Sequence, residues 1–292
     1  MILSSLKARI RNFISHAVAQ SITNAEKPSA QRLCVYMGNE RALTETIYGH
    51  KMYVKTTDLS LAPHILLDGF WENWITKVFI REVSTGMVVI DIGANIGYYS
   101  LLASEAVGPG GMVYCFDANP DVNEILFQNL EINGFLSRSK VINKAVFSET
   151  IELELSVCGK HQGGSSIYLD ESSVEIYHDS FTKIKVPAIS LDDYFPEGTK
   201  VDFIKVDAEG AEPDIIKGAS RLLNENKDIK ILMEWNPVML NRPGKSLHEF
   251  YTSLQSYGFY AFRIAHDSSL VLETFEELSS VSHCDILLKR HN

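Results

Sequence analysis

No stretch of the 292-residue chain is long and apolar enough to span a bilayer as a helix. Cysteine is scarce: Cys34, Cys115, Cys158 and Cys284 stand far apart, with no CxxC pair and no Cys/His cluster. A structural zinc site is therefore not expected, and isolated thiols fit a reducing compartment, so a cytoplasmic location is expected. Positive charge is also in short supply, with 27 Lys and Arg against 37 Asp and Glu and a net charge of −10. Binding to a phosphate backbone runs on counterion release by basic residues, and no Lys/Arg cluster stands out, so no nucleic-acid partner is expected. The N-terminus lacks the continuous apolar region of a signal peptide. Internal repeats and low-complexity tracts are missing too.

What is present is an ordinary apolar fraction, 45%, in a length that suits one large α/β domain with additions. Residues 1–30 read as an amphipathic helix and a polar linker. Leu3, Leu6, Ile10, Phe13, Ile14 and Ala17 share one helical face, flanked by Lys7 and Arg9. Such a helix packs on the domain or a partner, or lies at a membrane surface as a peripheral element. Residues 31–84 read as a small β/α cap: short alternating strands, then one helix through HILLDGFWENWITKVFIREVSTG, with Ile75, Val78, Phe79 and Val83 on its apolar stripe. From 85 to 292 strands alternate with helices. The strands are MVVIDIG, GMVYCFDA, KVINKAV, VDFIKVDAEG, IKILMEWN, YAFRIA and SHCDILLKR, and PDIIKGASRLLNEN reads as one helix. This alternation predicts a doubly wound parallel sheet covered on both faces, with ligands at the carboxyl ends of its strands. A detour over 147–200 separates the third and fourth strands; it holds IELELSV, KIKVPAISL and a Gly/Ser-rich loop, GKHQGGSSIYL. Long loops in compact domains are usually functional.

The first strand runs into Asp91-Ile92-Gly93-Ala94-Asn95-Ile96-Gly97. A phosphate-cradling P-loop needs Lys-Ser/Thr after its last glycine, and Tyr98-Tyr99 stand there instead. A dinucleotide loop needs a glycine where Asn95 is, so that the backbone can approach a pyrophosphate. Asp91 at the loop mouth repels phosphate and suits a positively charged group, such as a sulfonium cofactor bearing an α-amino group. Asp117 ends the next strand about 20 residues on, where an acid hydrogen-bonds ribose hydroxyls.

DIGANIGYYS, FDANP, NLEINGF, SLDDY, VDFIKVDAEGAE and EWNP resemble the FkbM-type methyltransferases, over roughly residues 48–240. The resemblance implies S-adenosyl-L-methionine as cofactor. It implies a class I methyltransferase fold: a Rossmann-like, seven-stranded sheet with an antiparallel last strand, here with the β-rich insertion and the small N-terminal extension. Asp117 departs from the family, which more often has glutamate there; both can accept two ribose hydroxyls. Carried over, Gly93, Ala94, Asn95 and Gly97 shape the loop around the methionine end, and Asp91 sits near the amino group. Asp117 binds ribose, Ala118 and Asn119 border adenine, and Asn143 to Ala145 lie near the adenine edge.

On the acceptor side, Asp207 leads the catalytic candidates, followed by Glu209 and Glu234: strand-end acids that can hold a hydroxyl and take its proton. His161, in the Gly/Ser-rich loop, is a further candidate base. Glu212 suits the cap of the following helix. Methyl transfer requires no metal, and no metal ligand is assigned. The expectation is an O-methyltransferase for a hydroxyl of a small molecule, a sugar, glycoconjugate or natural-product precursor. The alternatives are an inactive cofactor-binding or scaffold domain and a nucleotide-dependent oxidoreductase.

Overall fold

A computed structural model describes residues 32–168, 179–242 and 244–290. The N-terminal helix proposed for residues 1–30 lies outside the described residues.

The main sheet is built by β4 (Val88–Ile92), β5 (Met112–Asp117), β6 (Ser139–Asn143), β10 (Phe203–Val206), β11 (Lys230–Trp235), β12 (Phe259–Ile264), β13 (Leu270–Leu272) and β14 (Cys284–Arg290). Their order across the sheet is β13-β12-β14-β11-β10-β4-β5-β6. The five strands from β11 to β6 are mutually parallel, and β14 runs antiparallel between β11 and β12. The strand order reverses between β4 and β10, so their carboxyl ends flank the crevice where such sheets bind ligands. The sheet has eight strands, not seven. After Ile264 the chain turns back through Ser268, whose φ of 66 makes the turn tight, and β13 adds to the edge.

Both faces are covered. On one, α2 (Asn73–Glu82), α3 (Tyr98–Val107) and α4 (Pro120–Ile132) bury Phe79, Leu101 and Leu126 with β4 and β5. On the other, α6 (Glu212–Lys217), α7 (Ser220–Glu225) and α8 (Leu247–Ser256) bury Ile215, Leu222 and Leu254 against Ile204, Ile231 and Trp235. Fully burying one such side chain is worth roughly 1.5–3 kcal/mol. The cap is a separate antiparallel sheet, β1 (Cys34–Gly38), β2 (Arg41–Glu45) and β3 (Lys51–Lys55), tied to α4 where Asn129 bonds both backbone groups of Tyr53.

Three expectations from periodicity break at specific residues. The single helix expected from residue 64 is two: α1 (Ala62–Leu67) stops before Gly69 (φ 80), and α2 starts after Glu72 (φ 43). The helix expected from 213 is split into α6 and α7 at Gly218, where a Cβ would stand 2.1 Å from the carbonyl oxygen of Phe147. The third strand ends at Asn143. Lys144 then kinks the chain, so that β7 (Ala145–Val146) joins β8 (Glu152–Cys158) and β9 (Phe181–Ile189) in a second small sheet. Between β9 and β10 lies α5 (Leu191–Tyr194), whose Asp192 accepts from the backbone N–H of Arg221 and Leu222 at the start of α7.

Candidate active site

The loop after β4 is shaped by what its residues lack. Gly93 (φ +73) lies against β10, and a Cβ there would stand 1.8 Å from the carbonyl oxygen of Asp207. Gly97 (φ +95) caps α3 over Leu126, whose Cδ1 would be 2.5 Å from a Cβ. The backbone N–H groups of Gly93 and Ala94 both donate to the Phe116 carbonyl, 3.0 Å each. Asp117 joins this loop to the next: Oδ2 accepts from Asn95 N–H (2.8 Å) and Oδ1 from Asn119 N–H (2.9 Å). Burial raises the Asp117 carboxyl to about 6 against the pull of those two bonds. Each oxygen keeps a lone pair for a ligand.

Two buried polar atoms of residues that line the cleft at this end have no hydrogen-bond partner among the described residues. Asp91 is fully buried on β4; Oδ2 takes the Ser100 hydroxyl at 2.6 Å, and Oδ1 takes none. The Nδ2 of Asn119 is the other. A buried group left unsatisfied costs about 1–3 kcal/mol, so an acceptor and a donor here fit a ligand with a cationic amine and a hydrogen-bonding base.

A cleft of about 330 Å³ opens at the switch point. Its walls bring together Asp91, Gly93, Ala94, Asn95, Asp117, Ala118, Asn119, Ala145, Asp207, Glu209 and Glu234. Gly97 supports the loop from beneath. Asn143 stands outside: its exposed amide donates to the carbonyls of Asp117 and Ala118, fixing that turn from behind. His161 does not reach the wall; its Nδ1 is 3.2 Å from Asp179 Oδ2, and Asp179 also accepts from the N–H of Lys160 and His161. The loop brings its glycines and serines to the cleft instead. Gly163 to Ile167 line one side, and Ser166 donates to the Glu209 carbonyl at 2.9 Å.

Opposite the glycine loop the cleft is acidic. Lys205 on β10 is 5% exposed, with Nζ 3.0 Å from Asp207 Oδ2 and 4.6 Å from the Tyr99 ring centre. Burial works against its charge, but Asp207, Asp91 and Glu72 outweigh burial and raise its pKa. Asp207, Glu209 and Glu234 each offer one oxygen within 4.8 Å of the others, the closest acid group among the described residues; by itself this spacing assigns no cation. Glu212 takes the Ala208 N–H at 3.1 Å, so it closes the turn before α6 rather than facing the cleft.

Glu72, His283 and Asp285 also line the cleft, and sequence reasoning did not single them out. Glu72 enters through the break between α1 and α2. His283 and Asp285 precede or open β14; because β14 is antiparallel, its start lies at the rim where β10 and β11 end. His283 Nε2 is 3.0 Å from Glu234 Oε1, which raises the imidazole to about 9. Six non-glycine residues have positive φ among the described residues, and three of them, Glu72, Asn95 and Glu209, stand in this cleft. Such strain gathers at functional sites.

The family model described as "Methyltransferase FkbM domain" matches residues 91–260. The methyltransferase sdnD of Sordaria araneosa is 25% identical over 183 residues, 54% of this chain and 70% of that protein. A protein-L-isoaspartate O-methyltransferase of Aeropyrum pernix is 40% identical over 63 residues, 22% of this chain and 24% of that one. Among solved structures, a SAM-dependent O-methyltransferase from Thermotoga maritima aligns over 90% of this chain and 86% of its own, at 14% identity and a TM-score of 0.40. A SAM-dependent methyltransferase from Aquifex aeolicus aligns over 78% and 92%, at 18% identity and a TM-score of 0.40. The fold assignment rests on the strand order itself.

Proposed function

The chain belongs to the FkbM family of S-adenosylmethionine-dependent methyltransferases, and from that premise we propose that it methylates a hydroxyl of a small molecule, a sugar or a glycan or natural-product precursor. The observation that carries this reading is the cleft's division: a glycine loop with unsatisfied polar atoms on one side, several carboxylates on the other.

S-adenosylmethionine supplies, when bound, a methyl group activated on a sulfonium. The free Oδ1 of Asp91 suits its ammonium, Asp117 its two ribose hydroxyls, and Ala118, Asn119 and Ala145 its adenine. The chain's own task is to place an acceptor oxygen in line and exclude water. Asp207 and Glu209, at the end of β10, accept hydrogen bonds from or donate them to acceptor hydroxyls. Lys205 holds the Asp207 carboxylate in one orientation. Asn95 keeps its side chain in the loop, with Oδ1 taking the Ile96 N–H at 2.8 Å, where a dinucleotide's pyrophosphate would need bare backbone.

The test is a titration with S-adenosylhomocysteine and, separately, NAD, followed by S-adenosylhomocysteine release from S-adenosylmethionine with monosaccharides and phenols. Binding of the first ligand and release with a hydroxyl acceptor are expected. Binding with release only for amines or carboxylates would move the acceptor class. The cytoplasm is the proposed location, with residues 1–30 as a peripheral contact to a membrane; vesicle flotation with and without them tests that.

A further inference from the structure

Five carboxylates share the proposed acceptor half: two stand in ion pairs, and two more are buried beside neighbouring acids. Asp207 is 3.0 Å from the Lys205 ammonium, and Glu234 is 3.0 Å from the imidazole of His283. Each of these two carboxylates already has a cationic partner in hydrogen-bond contact. Glu209 and Asp285 are pushed well above the usual carboxylate range, by burial first and then by neighbouring acids.

Glu72 is the exception. It stands at the start of α2 with φ 43 and ψ 61, a left-handed backbone that costs a non-glycine residue about 1 kcal/mol or more. A polar side chain at that position ordinarily turns back to bond the helix's free N–H groups. Glu72 makes no such bond. Its carboxylate faces the cleft and accepts the Tyr99 hydroxyl at 3.2 Å, a neutral donor that orients it without neutralising it.

We propose that Glu72 is the general base of the methyl transfer. The acceptor oxygen bonds the methyl carbon, the carbon–sulfur pair returns to sulfur, and the hydroxyl proton passes to the Glu72 carboxylate. The inference rests on the hydroxyl-acceptor reading above.

The surroundings suit that role. Burial raises Glu72 to about 7, Asp207 and then Glu234 add repulsion, and Lys205 and Tyr99 pull the other way. Asp285 and His283 on the neighbouring strand complete the ring of charged groups around it. A base poised near the working pH is the most effective one.

The experiment compares wild type, Glu72→Gln and Glu72→Asp by S-adenosylhomocysteine release from S-adenosylmethionine, with monosaccharides and phenols as acceptors, across pH 5.5–9. Calorimetry with S-adenosylhomocysteine checks the cofactor half. The wild-type kcat should rise with pH through about 7. Glu72→Gln should lose roughly 10²- to 10⁴-fold in kcat and lose the limb, with cofactor affinity unchanged, and Glu72→Asp should recover part of the rate. A Glu72→Gln enzyme that keeps its rate and its limb overturns the proposal, as does one that loses cofactor binding in step with rate. A wild type that binds S-adenosylhomocysteine but turns over no hydroxyl acceptor overturns the hydroxyl reading, and the base with it.

Discussion

Gly93 and Glu72 face the same cleft and shape it by opposite means. Gly93 contributes by having no side chain, so that the loop can lie on the carbonyl of Asp207. Glu72 contributes a charge held in a strained backbone. The cofactor half follows the first pattern, with backbone N–H groups of residues 93–95 and 119 turned onto Phe116 and Asp117. The acceptor half follows the second, with side chains from α2, β10, β11 and β14 converging from distant parts of the chain. A half built from backbone is sensitive to shape, and a half built from charge is sensitive to pH and to the loss of single ions.

Substitutions can break that contrast in order of severity. Gly93→Ala should do the most damage. Its methyl would overlap the Asp207 carbonyl at a backbone angle alanine rarely adopts, and a loss of about 4 kcal/mol or more is expected, with cofactor binding abolished. Thermal unfolding and calorimetry measure both. Lys205→Met should come next, because it leaves the buried Asp91 and the part-exposed Asp207 without a nearby cation; exposure of Asp207 screens its share, so the loss should fall below the roughly 3–5 kcal/mol of a fully buried pair, to be read from urea unfolding. Retained S-adenosylhomocysteine affinity in that variant would show that the halves are energetically separate.

Asp117→Ala removes the link between the two loops and, under the proposed function, both ribose acceptors. A loss of roughly 10²- to 10⁴-fold in S-adenosylhomocysteine affinity is expected, since two hydrogen bonds to a charged group are worth roughly 1.5–3 kcal/mol each. Its titration gives a gentler version. Burial sets Asp117 at about 6, and the ionised form is the one that accepts hydroxyls. Affinity should therefore be flat above neutral pH and fall about tenfold per unit well below pH 6, where a proton competes with the ligand. Calorimetry at several pH values checks this, and Asp117→Asn should flatten the profile. The smallest effect belongs to His283→Ala. Half of its side chain is exposed, so stability should fall by no more than about 1 kcal/mol while cofactor affinity stays put.

The same contrast explains what could be read from the sequence. The cofactor half is local: an apolar strand, a turn with positive-φ residues and a second strand ending in an acid lie within residues 88–119. Alternating strands and helices were enough to predict a parallel sheet covered on both faces, and the antiparallel last strand came from the family resemblance. The acceptor half was legible only at Asp207, Glu209 and Glu234, which end strands. Helical spacing across 64–86 hid Glu72, although Gly69 interrupts that pattern and was the available signal. His283 and Asp285 alternate on one face near the start of the last strand, but no spacing rule joins them to residue 72. His161 was drawn to the site by its residue type, and the carboxylate of Asp179 holds it elsewhere.

The kink at Lys144 moves β7 out of the main sheet and into the small one with β9 and β8. The turn that supplies Gly163 to Ile167 to the cleft therefore hangs from a sheet with its own hydrogen-bond ladder. Lengthening that connection disturbs no register in the sheet that carries the cofactor loops, and each doubling of a flexible loop costs only about 0.6 kcal/mol. The molecule thus has an interchangeable sleeve on a fixed chuck: under the proposed function, acceptor fit can be re-engineered through the insertion while the sheet that carries the glycine loop keeps its register.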